Sequence, residues 1–333
     1  MIGQPEEHTT SSCESTKQTI TVTLYMLFLV TGSILGWLIW FLLLWYVSLL
    51  RIPLLLYAAW IYFDRESIET GIRRSEKLRK WKIWKYHNEY FPAKLIKTVD
   101  LPTDRNYIFA AFPHGVLATG AYSAFGNFYG RFEETFPGLK SWMLTLQQHF
   151  HTPFIREYVM TVGALPASAG CMNRMLGSEQ KGTCLVLMVG GAQEAFYSEP
   201  GKYVVNLKKR KGFVRIALKN GASIVPVISF GETDIYRQIR FDENSMAYRI
   251  QSLIKKVTNL APIAFYGRFS VTPFRKPINT VVGEPIHLEK VEEPTQEQVD
   301  TVHAKFIRKL EDLFEKEKKK YVENPENVHL TVM

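Results

Sequence analysis

Residues 20–63 are ITVTLYMLFLVTGSILGWLIWFLLLWYVSLLRIPLLLYAAWIYF, and Arg51 is the sole charged residue among them. As one helix this stretch would measure roughly 66 Å, at about 1.5 Å per residue. The hydrocarbon core of a bilayer is about 30 Å thick, so two legs joined by a turn fit better than one straight span. A signal peptide does not explain the stretch, because its apolar region is about 7–15 residues long. The sequence therefore predicts an integral membrane protein with a hydrophobic hairpin or re-entrant segment over 20–63, and a single span is the alternative.

The turn of this hairpin has two possible positions. Gly32 and Gly36 would place it in the middle of the stretch, whereas Arg51-Ile52-Pro53 would place it later. The later break leaves residues 54–63 as a short return leg that enters the membrane without crossing it. Both positions stay open at this level.

A basic cluster follows the apolar stretch and indicates its orientation. The members of this cluster are Arg73, Arg74, Lys77, Arg79, Lys80, Lys82 and Lys85. The one acidic residue among them is Glu76. Positive charge beside a membrane segment stays on the cytosolic side and attracts anionic lipid, so the bulk of the chain is predicted to be cytosolic. The net charge of +9 is not accompanied by a motif that reads nucleic-acid grooves, so membrane lipid is the expected partner and nucleic acid is not.

Short apolar runs alternate with amphipathic ones from Tyr107 onward, which is typical of an α/β fold with helices covering a sheet. Buried strands are predicted at Tyr107–Phe112, Trp142–Leu146, Cys184–Val189, Ile224–Phe230, Ile263–Tyr266 and Thr280–Val282. Helices are predicted over 211–220, over 233–257 and after a capping-box pattern at Thr295 and Gln298. The chain is accordingly divided into a loose N-terminus (1–19), the hairpin (20–63), a basic interfacial connector (64–106) and one cytosolic domain (107–333).

Two of the predicted strands end in turns that could carry chemistry. Phe112-Pro113-His114-Gly115 follows the first strand, where α/β folds place ligands, and a histidine is suited to accept a proton near neutral pH. Val189-Gly190-Gly191-Ala192-Gln193-Glu194 follows another strand, and its glycines allow a tight turn. If the sheet brings the two turns together, Glu194 could orient the His114 imidazole. A structural histidine and a surface acid remain the alternatives.

The other polar groups are weaker candidates. Arg210, Lys211, Gly212 and Arg215 lie at the start of a predicted helix, where an anion would be stabilised, although such runs are often solvated surface. Ser229-Phe230-Gly231-Glu232 and Val282-Gly283-Glu284-Pro285 are interpreted as structural turns. His149 and His151 have no supporting acid or cysteine, so no metal is expected. No GxSxG or P-loop motif is present, which argues against a serine hydrolase or a nucleotidase.

The chain resembles the diacylglycerol acyltransferase 2 family, which includes monoacylglycerol and wax-alcohol acyltransferases. The ordered blocks that carry the resemblance are Tyr90-Phe91-Pro92, FPHG at 112–115, Phe136-Pro137-Gly138, Arg156-Glu157-Tyr158, VGGAQE at 189–194, Pro200-Gly201, RKGFVRIAL at 210–218, Gly221-Ala222, FGE at 230–232 and VVGEP at 281–285. The family's His-Pro-His-Gly motif maps onto 112–115, with Phe112 in place of its first histidine and His114 matching its second. Thr119 stands where relatives that acylate glycerol phosphate have the aspartate of a His-x4-Asp motif.

The resemblance implies a membrane-anchored acyltransferase domain with a glycerolipid-acyltransferase-like sheet covered by helices. It further implies an enzyme of the endoplasmic-reticulum membrane that transfers a fatty acyl group from acyl-CoA to mono- or diacylglycerol, with the product entering lipid droplets. No cofactor is needed because the thioester of the co-substrate acyl-CoA is already activated. Homo-oligomerisation stays open.

These observations combine into a hypothesis of direct acyl transfer. His114 removes the proton from the acceptor hydroxyl, Glu194 holds the imidazolium, and turn amides near Gly115 or Gly190-Gly191 stabilise the oxyanion. Pro113, Gly115, Gly190 and Gly191 are counted as substrate-binding residues. Arg210, Lys211 and Arg215 are expected to bind the CoA phosphates. The alternatives are a wax-alcohol or retinol acyltransferase, a covalent route through Cys171, and a non-catalytic lipid-binding or droplet-scaffold protein, which Phe112 makes conceivable.

Overall fold

The apolar stretch forms two helices joined by a short turn. The computed structural model describes residues 12–242, 244–258 and 263–333. Helix α1 spans Ser12–Tyr46, a 3₁₀ turn occupies Ser48–Leu50, and α2 spans Arg51–Phe63. By length and composition α1 is the one described helix able to cross a bilayer. Of the two predicted turn positions, the one at Gly32 and Gly36 is wrong, and the break lies just before Arg51.

Arg51 has a structural role at this break. Its Nε and Nη2 donate to the carbonyl oxygens of Leu44 and Trp45, each at 3.1 Å. These carbonyls belong to the last turn of α1, where no further helical N–H can reach them. Arg51 therefore caps the C-terminus of α1, which explains a charge inside an otherwise apolar stretch.

Both helices of the hairpin pack against the rest of the protein. Residues 12–19, predicted to be loose, form the first turns of α1, and residues 1–11 lie outside the described part of the chain. Buried Gln18 donates to Glu89 Oε2 at 3.3 Å. At the other end of the hairpin, buried Arg156 forms an ion pair with partly exposed Asp64. Gly36 lies so close to the domain that an added Cβ would be 2.7 Å from the carbonyl oxygen of Pro153, so the glycine permits close packing rather than a bend.

The domain is built on a seven-stranded mixed sheet in the order β1-β10-β7-β2-β5-β3-β4. The strands are β1 Lys94–Lys97, β2 Tyr107–Phe112, β3 Lys140–Thr145, β4 Ala164–Pro166, β5 Thr183–Met188, β6 Tyr203–Val205, β7 Ser223–Phe230, β8 Arg237–Gln238, β9 Phe265–Tyr266, β10 Asn279–Val282 and β11 Leu330–Val332. Strand β2 pairs in parallel with both β5 and β7. The carboxyl ends of these three central strands therefore lie at one edge of the sheet.

Helices cover both faces of the sheet. After α2 they are α3 Glu76–Arg79, α4 Lys82–Tyr90, α5 Thr119–Ala121, α6 Phe132–Thr135, α7 Ile155–Thr161, α8 Ala169–Leu176, α9 Gly212–Asn220, α10 Met246–Thr258 and α11 Gln296–Tyr321. Alternate residues of β2 face opposite sides: Ile108 and Phe112 join a core with Phe306 of α11, whereas Phe109 joins a second core with Phe125. This two-sided burial explains why β2 is a continuous apolar run, and it confirms the predicted α/β class.

Five strand predictions are correct to within about two residues, whereas one strand and one helix assignment are wrong. Residues 263–266 do not enter the main sheet; Phe265–Tyr266 pairs with Arg237–Gln238 in a separate two-stranded sheet. The predicted helix over 233–257 begins only at Met246, because Ile235 and Tyr236 are buried in a turn and not on a helix face. Thr280–Val282 is extended by one residue in β10.

The stretch predicted as an interfacial connector is integrated into the domain. Its strand β1 pairs with β10 in the main sheet. Three aromatic residues of this stretch, Trp84, Tyr90 and Phe91, are buried in a core with Val22 and Met26 of α1. The boundary predicted at residue 106 therefore separates β1 from the sheet to which it belongs.

Candidate active site

The candidate site lies at the carboxyl edge of β2, β5 and β7. His114 follows β2, Glu194 follows β5 and Glu232 follows β7. Because β2 is the middle strand of the three, acids from both neighbours reach the turn that carries the histidine. The sheet brings the turns of His114 and Glu194 together, and the Glu194 carboxylate accepts a hydrogen bond from the His114 backbone N–H.

His114 is half-buried, and its ring nitrogen Nδ1 lies 3.1 Å from the carbonyl oxygen of Gly115. A carbonyl oxygen can only accept a hydrogen bond, so this contact assigns the proton to Nδ1 and leaves the lone pair on Nε2. Burial lowers the pKa of His114, although the bond to Gly115 partly opposes this. The imidazole is therefore neutral at pH 7 and able to accept a proton. Pro113, buried and linked to Phe112 by a cis peptide bond, precedes it.

Glu194 contacts the backbone of the His114 turn rather than the imidazole. Its Oε2 accepts from the His114 backbone N–H at 2.8 Å, and its Oε1 accepts from the Asn206 N–H at 2.9 Å. The carboxyl group is 2% exposed, and burial raises its pKa to about 7, while the two amide bonds and Arg210 oppose the shift. Glu194 thus links two turns, and the predicted contact with the imidazole is replaced by the Gly115 carbonyl.

The two glycines before Glu194 have different roles. At Gly190 an added Cβ would overlap the Glu194 carboxylate, so the glycine lets this side chain fold back onto its own turn. Gly191 has a φ of +61°, which L-residues rarely adopt, and no atom lies within 4 Å of the position a Cβ would take. The space beside the Gly191 Cα is therefore open, whereas the space beside Gly190 is filled by the Glu194 side chain.

The predicted phosphate-binding cations are separated by the structure. Exposed Arg210 donates to Gln193 Oε1 at 3.1 Å, which places it beside the Glu194 turn. Lys211 instead forms an ion pair with Asp300 of α11 at 2.7 Å. Arg215 donates to the backbone of Pro294 and the side chain of Gln296, at the start of α11. Gly212 is the exposed first residue of α9, with open space above it.

Phe112 does not line the site. Its ring is 1% exposed and lies 6.3 Å from the ring of Phe306, inside the core between the sheet and α11. Strand alternation accounts for this position, because Phe112 has the same parity as the core residues Ile108 and Ala110. Phe112 is therefore a core residue in this structure.

Glu232 is a functional candidate, although its turn is interpreted as structural from the sequence alone. Its carboxylate is 1% exposed and accepts from the backbone N–H groups of Thr119 and Gly120, at 3.0 and 2.5 Å. Burial raises its pKa to about 8, opposed by these two bonds. Its position in the sequence could have identified Glu232, because Phe230-Gly231-Glu232 follows a buried strand in the same way as the turns of His114 and Glu194 do.

The remaining reactive side chains lie elsewhere. Cys171 is buried in the main core, and burial raises the pKa of its thiol to about 12, which disfavours the nucleophilic thiolate. His149 Nδ1 lies 3.2 Å from Ser33 Oγ of α1. A separate surface cavity of about 520 Å³ is lined by Glu199, Pro200, Arg237, Gln238, Arg240 and Tyr266.

Comparisons with known proteins agree with one another. A family model described as diacylglycerol acyltransferase matches residues 42–333. The chain is 44% identical to diacylglycerol O-acyltransferase 2 of Danio rerio over 273 residues, which are 80% of this chain and 76% of that protein. It is 41% identical to 2-acylglycerol O-acyltransferase 1 of Bos taurus over 87% of this chain and 92% of that protein. It is 42% identical to acyl-CoA wax alcohol acyltransferase 2 of Mus musculus over 79% of this chain and 80% of that protein.

Among solved structures, the chain aligns with the 1-acyl-sn-glycerophosphate (LPA) acyltransferase PlsC of Thermotoga maritima. The alignment has a TM-score of 0.40 and 15% identity, and it covers 89% of this chain and 97% of that one. This likeness is too low to carry a conclusion about fold or function.

Proposed function

The chain belongs to the diacylglycerol acyltransferase family, and from this premise we propose that it transfers a fatty acyl group from acyl-CoA to the hydroxyl of a mono- or diacylglycerol. Relatives named as diacylglycerol, 2-acylglycerol and wax-alcohol acyltransferases share the chain's sequence over most of its length. Acyl transfer from acyl-CoA to a lipid hydroxyl is the chemistry that these names have in common.

The observation that carries the proposal is the His114 imidazole with its Nδ1 held by the Gly115 carbonyl. This leaves Nε2 as the base, and the lowered pKa keeps it unprotonated at neutral pH. Positioned base catalysis contributes about 10²–10⁴-fold.

The reaction proceeds by direct transfer. Nε2 removes the hydroxyl proton of the acylglycerol as its oxygen attacks the thioester carbonyl carbon. The C–O bond forms, the carbonyl oxygen becomes an oxyanion, and collapse of this intermediate breaks the C–S bond. The imidazolium then returns its proton to the departing CoA sulfur. The backbone at Gly191, beside open space, is the candidate oxyanion contact.

We place the CoA phosphates at Arg210, because it is exposed and next to the Glu194 turn. Lys211 and Arg215 support the packing of α9 on α11 instead, through Asp300 and Gln296. The cavity lined by Arg237 and Arg240 is a second position for the phosphates, although Glu199 already neutralises Arg240 there.

The proposed location is the endoplasmic-reticulum membrane, with the domain facing the cytosol and access to lipid droplets. The long apolar helix α1 and the basic residues after α2 support this orientation. Both substrates have apolar tails, so docking the hairpin onto the domain brings the site towards the surface where they reside.

The test is a competition assay with the purified full-length protein in lipid nanodiscs. Labelled acyl-CoA is offered with monoacylglycerol, diacylglycerol and a long-chain alcohol together, and we expect acylglycerol esters to dominate the products. Wax ester as the main product would favour the wax-alcohol alternative. Absence of acyl-CoA consumption would favour the non-catalytic scaffold and refute the proposal.

His114→Ala is expected to lose about 10²–10⁴-fold in kcat while the protein still folds. His287→Ala is the matched control, because His287 is exposed and bonds Ser223 at the opposite edge of the sheet, at 2.9 Å. Near-normal activity of the His114 variant would sink its assignment as the base.

A further inference from the structure

Glu232 is a buried carboxyl beside the histidine turn that the proposed mechanism leaves without a role. It follows β7, which is the neighbour of β2 on the side opposite to β5. Its two oxygens accept from consecutive backbone N–H groups, those of Thr119 and Gly120. These N–H groups begin the short helix α5, which continues as a π-helical turn over Tyr122–Gly126. The carboxylate therefore anchors the far end of the turn that starts at His114.

The near end of the same turn also contacts Glu232. At Gly115, whose φ is +60°, an added Cβ would lie 2.5 Å from Glu232 Cγ and would overlap its carboxylate. At position 115, no side chain larger than the hydrogen of glycine fits between the turn and the Glu232 side chain. The Glu232 side chain consequently packs on Gly115 while its oxygens hold residues 119 and 120.

The turn is internally closed as well. The Ala118 N–H donates to the His114 carbonyl at 3.0 Å, and Ala118 has a left-handed φ of 53°. This left-handed φ is sterically unfavourable for Ala118. Such a backbone persists only when its surroundings enforce it. Glu194 holds this turn from β5 through the His114 N–H, and Glu232 holds it from β7.

We infer that Glu232 is a positioning residue for acyl transfer: it sets the 114–120 turn so that the Gly115 carbonyl accepts from Nδ1 and Nε2 faces the substrate. The inference rests on the proposed function, because it assigns a role relative to His114 as the base. Glu232 does not touch the imidazole, so its effect passes entirely through Gly115 and the turn. A loop shift of about 1 Å is enough to lower catalysis by up to 10²-fold.

Glu232→Gln tests this role with little change in volume. The amide keeps one acceptor oxygen and places its N–H₂ against a backbone N–H, so one of the two anchoring bonds is lost. Glu317→Gln is the matched control, because Glu317 is also a buried acid, 2% exposed and paired with Lys320 on α11, away from the site. At pH 9, where wild-type Glu232 is ionised because its pKa is about 8, we expect kcat to fall by about 10- to 10²-fold in the Glu232 variant, with KM for both substrates within about twofold of wild type. The control should keep the wild-type kcat.

Two further readouts separate positioning from general destabilisation. The hydrogen bond from Nδ1 to the Gly115 carbonyl favours the imidazolium, so weakening it should move the acidic limb of the kcat profile to lower pH. In a double-mutant cycle, adding Glu232→Gln to His114→Ala should cause no further loss of residual activity.

The inference is overturned if Glu232→Gln keeps the wild-type kcat. It is also overturned if Glu232→Gln lowers the residual activity of His114→Ala by the same factor as it lowers the activity of wild type. A changed KM with an unchanged kcat overturns it too, since that pattern assigns Glu232 to substrate binding. If the glutamine variant does not fold, Glu232→Asp is measured instead; it retains the charge but withdraws from Gly115, and the same kcat loss is expected. Failure of the proposed function can be told apart from failure of this inference, because the wild-type protein would then consume no acyl-CoA.

Discussion

Replacing Glu194 with glutamine should change how catalysis depends on pH. In the wild type, both oxygens of the carboxylate accept backbone N–H groups, from His114 and Asn206. Protonation converts one oxygen into a donor and removes one of these bonds. With a pKa of about 7, roughly a tenth of the carboxyl groups are ionised at pH 6 and roughly nine-tenths at pH 8. We therefore expect wild-type kcat to fall by up to about tenfold across this range.

Glu194→Gln cannot titrate, so the part of this fall that Glu194 causes should disappear, while the part caused by Glu232, whose pKa burial raises to about 8, should remain. The variant should be slower than wild type at pH 8, because one charge-assisted bond of about 1.5–3 kcal/mol is lost. Its remaining acidic limb should lie below the ordinary histidine range, since burial lowers the pKa of His114. Initial rates at saturating acyl-CoA and diacylglycerol, measured from pH 5 to pH 9 in nanodiscs, provide the comparison. Parallel profiles for wild type and variant would refute the reasoning.

The same group predicts the pH dependence of stability, with a definite sign. The folded pKa of about 7 lies above the ordinary glutamate pKa of 4.5, so the folded state holds this proton more tightly than the unfolded state. The contribution of Glu194 to stability is therefore fully present below pH 4.5 and is lost as pH rises through 7. Tm in Glu194→Gln should accordingly decline less between pH 5 and pH 8 than in wild type. An equal decline would contradict the assignment.

Three other outcomes are expected. Phe112→His should leave kcat within a fewfold of wild type but lower Tm, because the ring lies in the core and not at the site; a rate gain of tenfold or more would place residue 112 in catalysis. Arg210→Gln should raise KM for acyl-CoA more than it lowers kcat, whereas Arg215→Gln should change KM little; equal effects would contradict the separation seen here. Arg156→Met should destabilise the protein in detergent by about 0.5–3 kcal/mol, because it removes the ion pair between buried Arg156 and Asp64, while Asp64 keeps its pair with Arg73; thermal unfolding measures this, and an unchanged Tm would show that the hairpin docks without the Arg156 pair.

The central strands were predictable from the sequence because burial on both faces makes each of them a continuous apolar run. Tyr107–Phe112 is predicted without an error at either end. The short strands β4, β6 and β11 were not predicted, since three residues carry no periodic signal. Their pairing is determined by partners that are distant in sequence, as in the parallel pair of β11 with β6.

The site was predictable in its members but not in its contacts. His114 and Glu194 were identified because each follows a buried strand, and parallel neighbours end at the same edge of a sheet. Which atom of His114 meets the carboxylate depends on backbone geometry that no spacing rule contains. Glu232 was missed for the same reason, because its importance comes from the contact with Gly115, 117 positions earlier in the chain.

The sequence by itself determined that the chain carries a membrane hairpin candidate, an α/β domain and the ordered motifs of its family. These properties depend on local composition and periodicity, which a single stretch of chain displays. Only the tertiary structure decided that Arg51 caps α1, that Phe112 belongs to the core, and that two acids from opposite neighbours hold the His114 turn. Each of these depends on which distant groups are brought within hydrogen-bonding or van der Waals distance, and that is a property of the packed chain.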